Sequence, residues 1–308
     1  MKTLDFVAVV LTYNRPHLLE ENILAVMKQT VLPKELIVID NNSSIHTQEV
    51  VDKYQNNGKL NIRYHKLSNN FGSAGGFYYA IKFAYDLGYE YILTMDDDGK
   101  PYDNTTFEVL NLALQDVTKK NNALIIGPLV TYDGIHITFG QNYSEEYVER
   151  NKKSKNLMYK EYISPYNGTI ISRKCIEKIG FPNKEFFMYG DEIDYMMRAK
   201  ENGILLLTVL NAIYQHPKPN EIINRFMGKN FISYQDASEK KQYYYFRNHY
   251  YALKTHNERM LSFRLLVNRL ISIIFFETDK RSKLQIFNNA IRDANSKKIH
   301  ETWVNLKI

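Results

Sequence analysis

Apolar and polar positions along the first hundred residues fall into a repeating strand and helix pattern. Residues 6–11 (FVAVVL) form a continuous Val-rich run, as expected of a parallel strand buried on both faces. Pro16, suited to a first helical position, opens a helical stretch to about residue 29. Strands are expected at 35–39 and 61–66 with a helix at about 46–55 between them, and a glycine-containing loop at 69–76 leads into a helix ending near Asp86. A fourth strand, 89–95, runs into the sequence DDDGKP, where Gly99 and Pro101 stop it. Strand and helix alternate three times in 95 residues, which predicts an α/β fold with a doubly wound, mostly parallel sheet flanked by helices. Ligands in such sheets bind beyond the carboxyl ends of the strands, so the polar residues of these loops should converge on one edge.

The last of those loops holds Asp96, Asp97 and Asp98 side by side. Like charges repel unless a cation, a helix N-terminus or solvent relieves them, so the loop reads as a divalent metal site with oxygen ligands. The other reading is a solvated turn in which Asp103 or Asn104 caps the next helix. Asp40, after the second strand, can accept hydrogen bonds from a nucleobase or ribose, and Arg15 can meet a phosphate. The glycines of NNFGSAGGF let backbone amides approach an anion. Each feature alone is also ordinary turn or cap chemistry. Gly72, Gly75 and Gly76 follow the third strand and do not spell the dinucleotide fingerprint, and there is no Gly-Lys-Ser/Thr phosphate loop. Both absences count against a dehydrogenase and an ATPase.

Composition adds less. With 308 residues, 44% apolar and 24% charged, the chain can bury a substantial core. Its 24 Tyr and 16 Phe suit carbohydrate faces, nucleobases and membrane interfaces alike. The single Cys175 excludes an internal disulfide and a cysteine-based zinc cluster. The N-terminus lacks signal-peptide features, and no apolar run reaches the roughly 20 residues needed to span a bilayer. A soluble cytoplasmic protein is the expectation. From Lys241 onward 13 Lys and Arg stand against 5 Asp and Glu, whereas the first 240 residues carry 27 against 29. The basic region is thus separate from the acids, unlike the recognition surface of a nucleic-acid binder.

Taken together, TYNR, VIDNNS, NNFGSAGGF and MDDDGKP resemble the motifs of family 2 glycosyltransferases with the GT-A fold, and the wording of the last two is similar to the galactofuranosyl- and rhamnosyltransferase branch. The resemblance continues through YNGTIISR (166–173), GFP (180–182), FFMYGDEIDYMMR (186–198) and YQHP (214–217), covering roughly residues 5–217. It implies a catalytic domain over 1–217, with a nucleotide-binding half to about residue 100 and an acceptor half beyond, followed by a helical C-terminal region at 218–308. It further implies transfer of a sugar from a nucleotide diphosphate donor by one inverting displacement. Asp96 and Asp98 match the metal-binding Asp-x-Asp positions, Asp97 lies nearer the sugar, and His216 stands where a histidine completes the metal site. Manganese is preferred for a set that includes imidazole, with magnesium the alternative. Thr12, Arg15, Asp40, Asn70, Gly75 and Gly76 correspond to nucleotide and donor contacts, and Gly168 and Asp194 to the acceptor side. The acid pair that supplies the catalytic base is Asp191-Glu192 here, against the family's commoner Glu-Asp or Asp-Asp. The base falls on Glu192 by position, with Asp191 the alternative.

Motif wording makes UDP-galactofuranose the first donor and dTDP-rhamnose the second, with a glycan or polyprenyl-diphosphate-linked acceptor in surface polysaccharide synthesis. A sugar-phosphate nucleotidyltransferase would want a glycine-rich first loop where this chain has LTYNRP. A non-catalytic sugar-nucleotide binding protein is the reading from another class. The tail segments KKQYYYFRNHYYALKTH and LSFRLLVNRLISIIFF read as basic, aromatic-rich helices, the second with Arg264, Asn268 and Ser272 as its polar stripe. They are expected either to pack on the catalytic domain or in a homo-oligomer, or to attach the protein peripherally to the inner face of the cell membrane.

Overall fold

The structure, a computed structural model, describes residues 4–44, 46–56, 58–138, 144–153, 158–160, 163–218, 222–234 and 237–300. Of the tail expected over 218–308, residues 219–221, 235–236 and 301–308 lie outside the described residues. The chain begins β1 (Val7–Thr12), α1 (Pro16–Met27), β2 (Leu36–Asp40), α2 (Thr47–Gln55), β3 (Ile62–Lys66), α3 (Gly72–Asp86) and β4 (Tyr91–Asp96). It continues through β5 (Lys100–Pro101), α4 (Thr106–Thr118), β6 (Leu124–Thr131), α5 (Glu145–Lys153), β7 (Met158–Lys160), β8 (Asn167–Ser172) and α6 (Arg173–Ile179). A 3-10 turn at Lys184–Phe186 precedes α7 (Asp191–Glu201) and β9 (Leu205–Gln215). The C-terminal part holds β10 (Ile222–Phe226), β11 (Lys229–Ser233), α8 (Glu239–Thr255), α9 (Arg259–Phe276) and α10 (Lys280–Asn295).

Two compact units result. The first comprises residues 1–71, 76–181 and 198–219. Its sheet has the order β3-β2-β1-β4-β8-β6-β9-β5, with β7 also paired to β9. Strands β3, β2, β1, β4, β6 and β9 run one way, and β8, β5 and β7 run against them. Every residue of β1, β2, β6 and β8 is buried, which is why β1, β2 and β6 read as nearly continuous apolar runs rather than alternating ones. Val10, Ile23, Val38, Leu93, Phe107 and Ile126 belong to the core between sheet and helices. Burying each such side chain contributes about 1.5–3 kcal/mol.

The second unit comprises residues 72–75, 182–197 and 220–308. The sequence places a boundary at 217/218. In the structure the segment with the acids Asp191, Glu192 and Asp194 groups instead with the tail, because Phe187, Met188 and Tyr189 pack on a core of Tyr243, Tyr244, Phe246, Ile273, Ile286 and Phe287. One further expectation for the tail changes: it opens with an antiparallel hairpin, β10 against β11, rather than with helix. The tyrosine-rich run packs into the unit's core, with the Arg247 guanidinium enclosed 5.2 and 4.8 Å from the ring centroids of Tyr243 and Tyr244. No helix among the described residues is long and apolar enough to cross a membrane.

Candidate active site

In the first unit the carboxyl ends of β1, β4 and β9 gather the acidic turn with its counter-charges. Met95 and Asp96 end β4, and the Asp96 amide donates to the Tyr166 carbonyl at 3.0 Å. Asn22, buried in α1, donates from Nδ2 to the Gly99 carbonyl at 2.6 Å, so a core helix fixes the far side of the turn. The Tyr214 ring fills the space beneath. A Cβ on Gly99 would lie 2.5 Å from its Cε1, and one on Gly168 2.7 Å from its Cδ2. Gly168 also has φ +73°, so both its backbone angle and its closeness to the ring exclude a side chain.

Within the turn the three carboxylates have different surroundings. Asp97 is 1% exposed, accepts from the Thr12 hydroxyl at 2.7 Å and pairs with Arg15 Nη2 at 2.6 Å. Burial pushes its pKa up to about 6 against the pull of Arg15 and Thr12. Its oxygens are thus engaged by Thr12 at the end of β1 and by Arg15 just before α1. Asp98 pairs with Arg15 Nη1 at 2.6 Å, and its Oδ1 lies 3.2 Å from His216 Nε2. Although burial works the other way, His216 and Arg15 hold Asp98 below the usual carboxylate range. Asp96 is partly buried, and burial together with Asp98 and Asp97 pushes its pKa up to about 8.

His216 Nδ1 is 3.0 Å from the Pro217 carbonyl. Donation there leaves Nε2 as the nitrogen that faces Asp98, the arrangement of a metal-ligating imidazole whose other nitrogen is held by a carbonyl. Among the described residues no three His, Cys, Asp or Glu side chains already form a cation cage. The Arg15 guanidinium is the cation that bridges Asp97 and Asp98. The donor set still fits a divalent ion, since oxygen and imidazole ligands stand beside a carboxylate, Asp96, whose ionised form burial and two neighbouring acids disfavour.

The expected nucleotide contacts divide. Asp40 is 1% exposed, accepting from the Ser43 amide at 2.7 Å and the Tyr64 hydroxyl at 2.6 Å, so both oxygens are already engaged in shaping the loop. Beside it lies a recess of about 390 Å³ bordered by Ser43, Thr47, Glu49, Tyr64 and Lys66. Asn70 accepts from Asn41 Nδ2 at 3.2 Å, and Asn41 in turn accepts from the Phe71 amide. The glycine-rich loop is shorter than the sequence indicates, because α3 starts at Gly72 and includes Gly75 and Gly76. Gly76 permits close packing, since a Cβ there would sit 2.6 Å from the Leu11 methyls.

In the second unit Asp191, Glu192 and Asp194 occupy the first turn of α7, where the helix dipole favours acids. Asp191 is 2% exposed, whereas the Glu192 side chain keeps 32% of its surface. Two histidines of the tail stand behind the acids. His256 Nε2 lies 3.1 Å from Asp194 Oδ1, and His249 Nε2 lies 3.9 Å from Glu192 Oε1. His249 Nδ1 donates to the Tyr245 carbonyl at 2.8 Å, and burial lowers its pKa although Glu192 opposes this. Neighbouring Asn248 donates from Nδ2 to the carbonyls of Phe186, Met188 and Tyr189 at 2.8, 2.7 and 3.2 Å. These carbonyls belong to a loop in which Phe187, Tyr189 and Gly190 all have positive φ. Sequence reasoning missed Asn248, His249 and His256. The signal was the seven-residue spacing of the two histidines, which puts them on one face of a helix.

Comparisons with known proteins place this geometry. A sequence model described as glycosyl transferase family 2 matches residues 7–180, more than half of the chain. The chain is similar to galactofuranosyltransferase GlfT1 of Mycolicibacterium smegmatis, 26% identical over 263 residues, covering 82% of this chain and 84% of that protein. In fold it is similar to S. aureus TarS (TM-score 0.58, 16% identity, 96% of this chain and 82% of that one). It is also similar to GalNAc-T7 with UDP, GalNAc and Mn2+ (TM-score 0.62, 16% identity, 96% and 57%). The chain belongs to glycosyl transferase family 2 and is a glycosyltransferase with the GT-A fold.

Proposed function

We propose that this enzyme transfers a hexosyl unit, with inversion, from a nucleoside diphosphate sugar to a glycan or polyprenyl-diphosphate-linked acceptor of a surface polysaccharide. The observation that carries the reading is the convergence of Asp96, Asp98, Arg15 and the Nε2 of His216 at the carboxyl edge of the sheet. UDP-galactofuranose is the first donor, supported by the likeness to GlfT1 over most of both chains, and dTDP-rhamnose is the alternative. A divalent cation, manganese first and magnesium second, would be held by Asp96, Asp98 and His216 and would neutralise charge on the departing nucleoside diphosphate. Arg15 adds a fixed positive charge for the same phosphates. The recess beside Asp40 and Tyr64 suits a nucleobase and ribose, with Thr12 and Asn70 holding the shape of the loops around it.

Glu192 is the proposed base, taking the acceptor hydroxyl proton as that oxygen attacks the anomeric carbon. Its greater exposure than Asp191 supports this choice, and Asp194, held by His256, orients the helix on the acceptor side. The test is nucleoside diphosphate release from a panel of UDP- and dTDP-sugars, with manganese or with chelator, in the presence of lipid-linked acceptors. UDP release from UDP-galactofuranose is expected, falling roughly 10²–10⁴-fold in Glu192→Gln. Release from no donor turns the assignment to a sugar-nucleotide binding protein, and a product that retains the donor's anomeric configuration removes the single displacement.

A further inference from the structure

Helix α9 turns a mixed face inward, with Ile273 fully buried and Leu265 and Leu266 packed on the unit's core beside a buried polar network. Arg269 is 2% exposed, pairs with Glu277 and donates to Gln242 Oε1 at 2.7 Å. Ser272 donates to the Ile232 carbonyl at 2.9 Å, and Lys283 reaches Glu277 at 3.2 Å. This buried network shares with apolar side chains the face that an amphipathic helix normally makes wholly apolar. Ser272, read from the sequence as part of a polar stripe, belongs to the network, and only Arg264 and Asn268 of that stripe are exposed.

The outward arc carries large apolar side chains alongside Arg264 and Asn268. Met260 is 71% exposed, Phe263 62%, Ile274 48% and Phe275 56%, with Leu270 between them. The β10–β11 hairpin extends the surface: Phe226 stacks on Phe275 with centroids 4.9 Å apart, and Met227 at the hairpin turn is 86% exposed. Contiguous apolar surface of this kind marks an interaction site.

Charge identifies the occupant. Arg225, Lys229, Arg259 and Arg264 are all exposed, and neither the hairpin nor α9 contains an Asp or Glu. Glu258 lies just before the helix, and Glu277 just after it is buried against Arg269. A second copy of this face would set like charges against one another in an isologous contact. An anionic lipid surface neutralises them while its acyl region takes up the apolar side chains. We propose that the outer face of α9 and the tip of the β10–β11 hairpin dock this protein on the surface of an anionic bilayer. The helix lies in the interface, since none of the described helices can cross it. The inference rests on the surface alone and stands apart from the choice of donor.

Sedimentation of the full chain with phosphatidylglycerol-containing vesicles, against pure phosphatidylcholine vesicles, tests it. Binding is expected to the anionic vesicles only and to weaken with salt. Phe263→Glu with Ile274→Glu, and separately Arg225→Glu with Lys229→Glu, should each lower partitioning roughly tenfold or more. Melting temperature and nucleoside diphosphate release away from vesicles report folding and catalysis independently. Equal vesicle binding by wild type and both double variants overturns the proposal, as does absence of binding by the wild type. A concentration-dependent dimer that Phe263→Glu dissociates, seen by analytical ultracentrifugation, also overturns it and assigns the face to a second copy.

Discussion

Asp96 ends a buried strand beside two further carboxylates, and its pKa of about 8 stands well above the 3.8 of an unperturbed Asp. The folded state therefore keeps a proton that the unfolded chain has released. The sign follows from linkage: the contribution is fully present below about pH 4, declines as pH rises, and is lost through about pH 8. The slope is at most about 1.4 kcal/mol per pH unit. In chelator, melting temperature should fall between pH 6 and 9, and Asp96→Asn should flatten that fall. Manganese, which favours the ionised carboxylate, should raise melting temperature more at pH 8 than at pH 6. Differential scanning fluorimetry checks both, and identical pH profiles for wild type and Asp96→Asn would sink the assignment. At this scale the sequence showed the acids because their charge is carried by their own side chains, whereas His216 was picked out by the family resemblance alone. The sequence did not show Asn22 or Tyr214, which act through a carbonyl and through the space beneath two glycines.

Helix α8 contributes by what it holds. Asn248 engages three carbonyls of the strained loop before α7, and a Cβ on Gly72 would lie 1.8 Å from the Phe187 carbonyl oxygen, so the loop is tightly enclosed. Asn248→Ala leaves those carbonyls without their donor and should cost about 1–3 kcal/mol. Urea denaturation measures that loss. Initial rates should fall as well, because the first turn of α7 loses its fixed start; an unchanged rate and midpoint would remove α8 from the site. Strands β1, β2 and β4 were legible because burial on both faces leaves a nearly continuous apolar run. The hairpin was not, since β10 and β11 are largely exposed and mix Asn, Arg and Lys with apolar residues. In α9 the four-residue spacing marked one polar stripe, but the structure divides it, exposing Arg264 and Asn268 and burying Ser272 beside the Arg269–Glu277 pair.

For the whole molecule, the family resemblance ends near residue 217, and the sequence reading therefore expects an appendage beyond it. The structure makes that tail the body into which the acid-bearing segment is built. Phe186 and Ile193 pack with Ala252 and Tyr251, and Phe187 stacks on Tyr244 at 5.3 Å, all within the second unit. His249 and His256 meet Glu192 and Asp194 from the same stretch. A chain ending at Pro217 should therefore retain the sheet of the first unit, whose core residues all precede that point. It should lose order in residues 182–197, because their apolar side chains have no partners left to bury them. Limited proteolysis should cut the truncated chain in that segment while the full chain resists, and acceptor-dependent transfer should vanish while far-UV circular dichroism keeps the sheet signal. Transfer at the full-length rate would instead make residues 218–308 a separable appendage, with the acids of α7 held by the first unit alone.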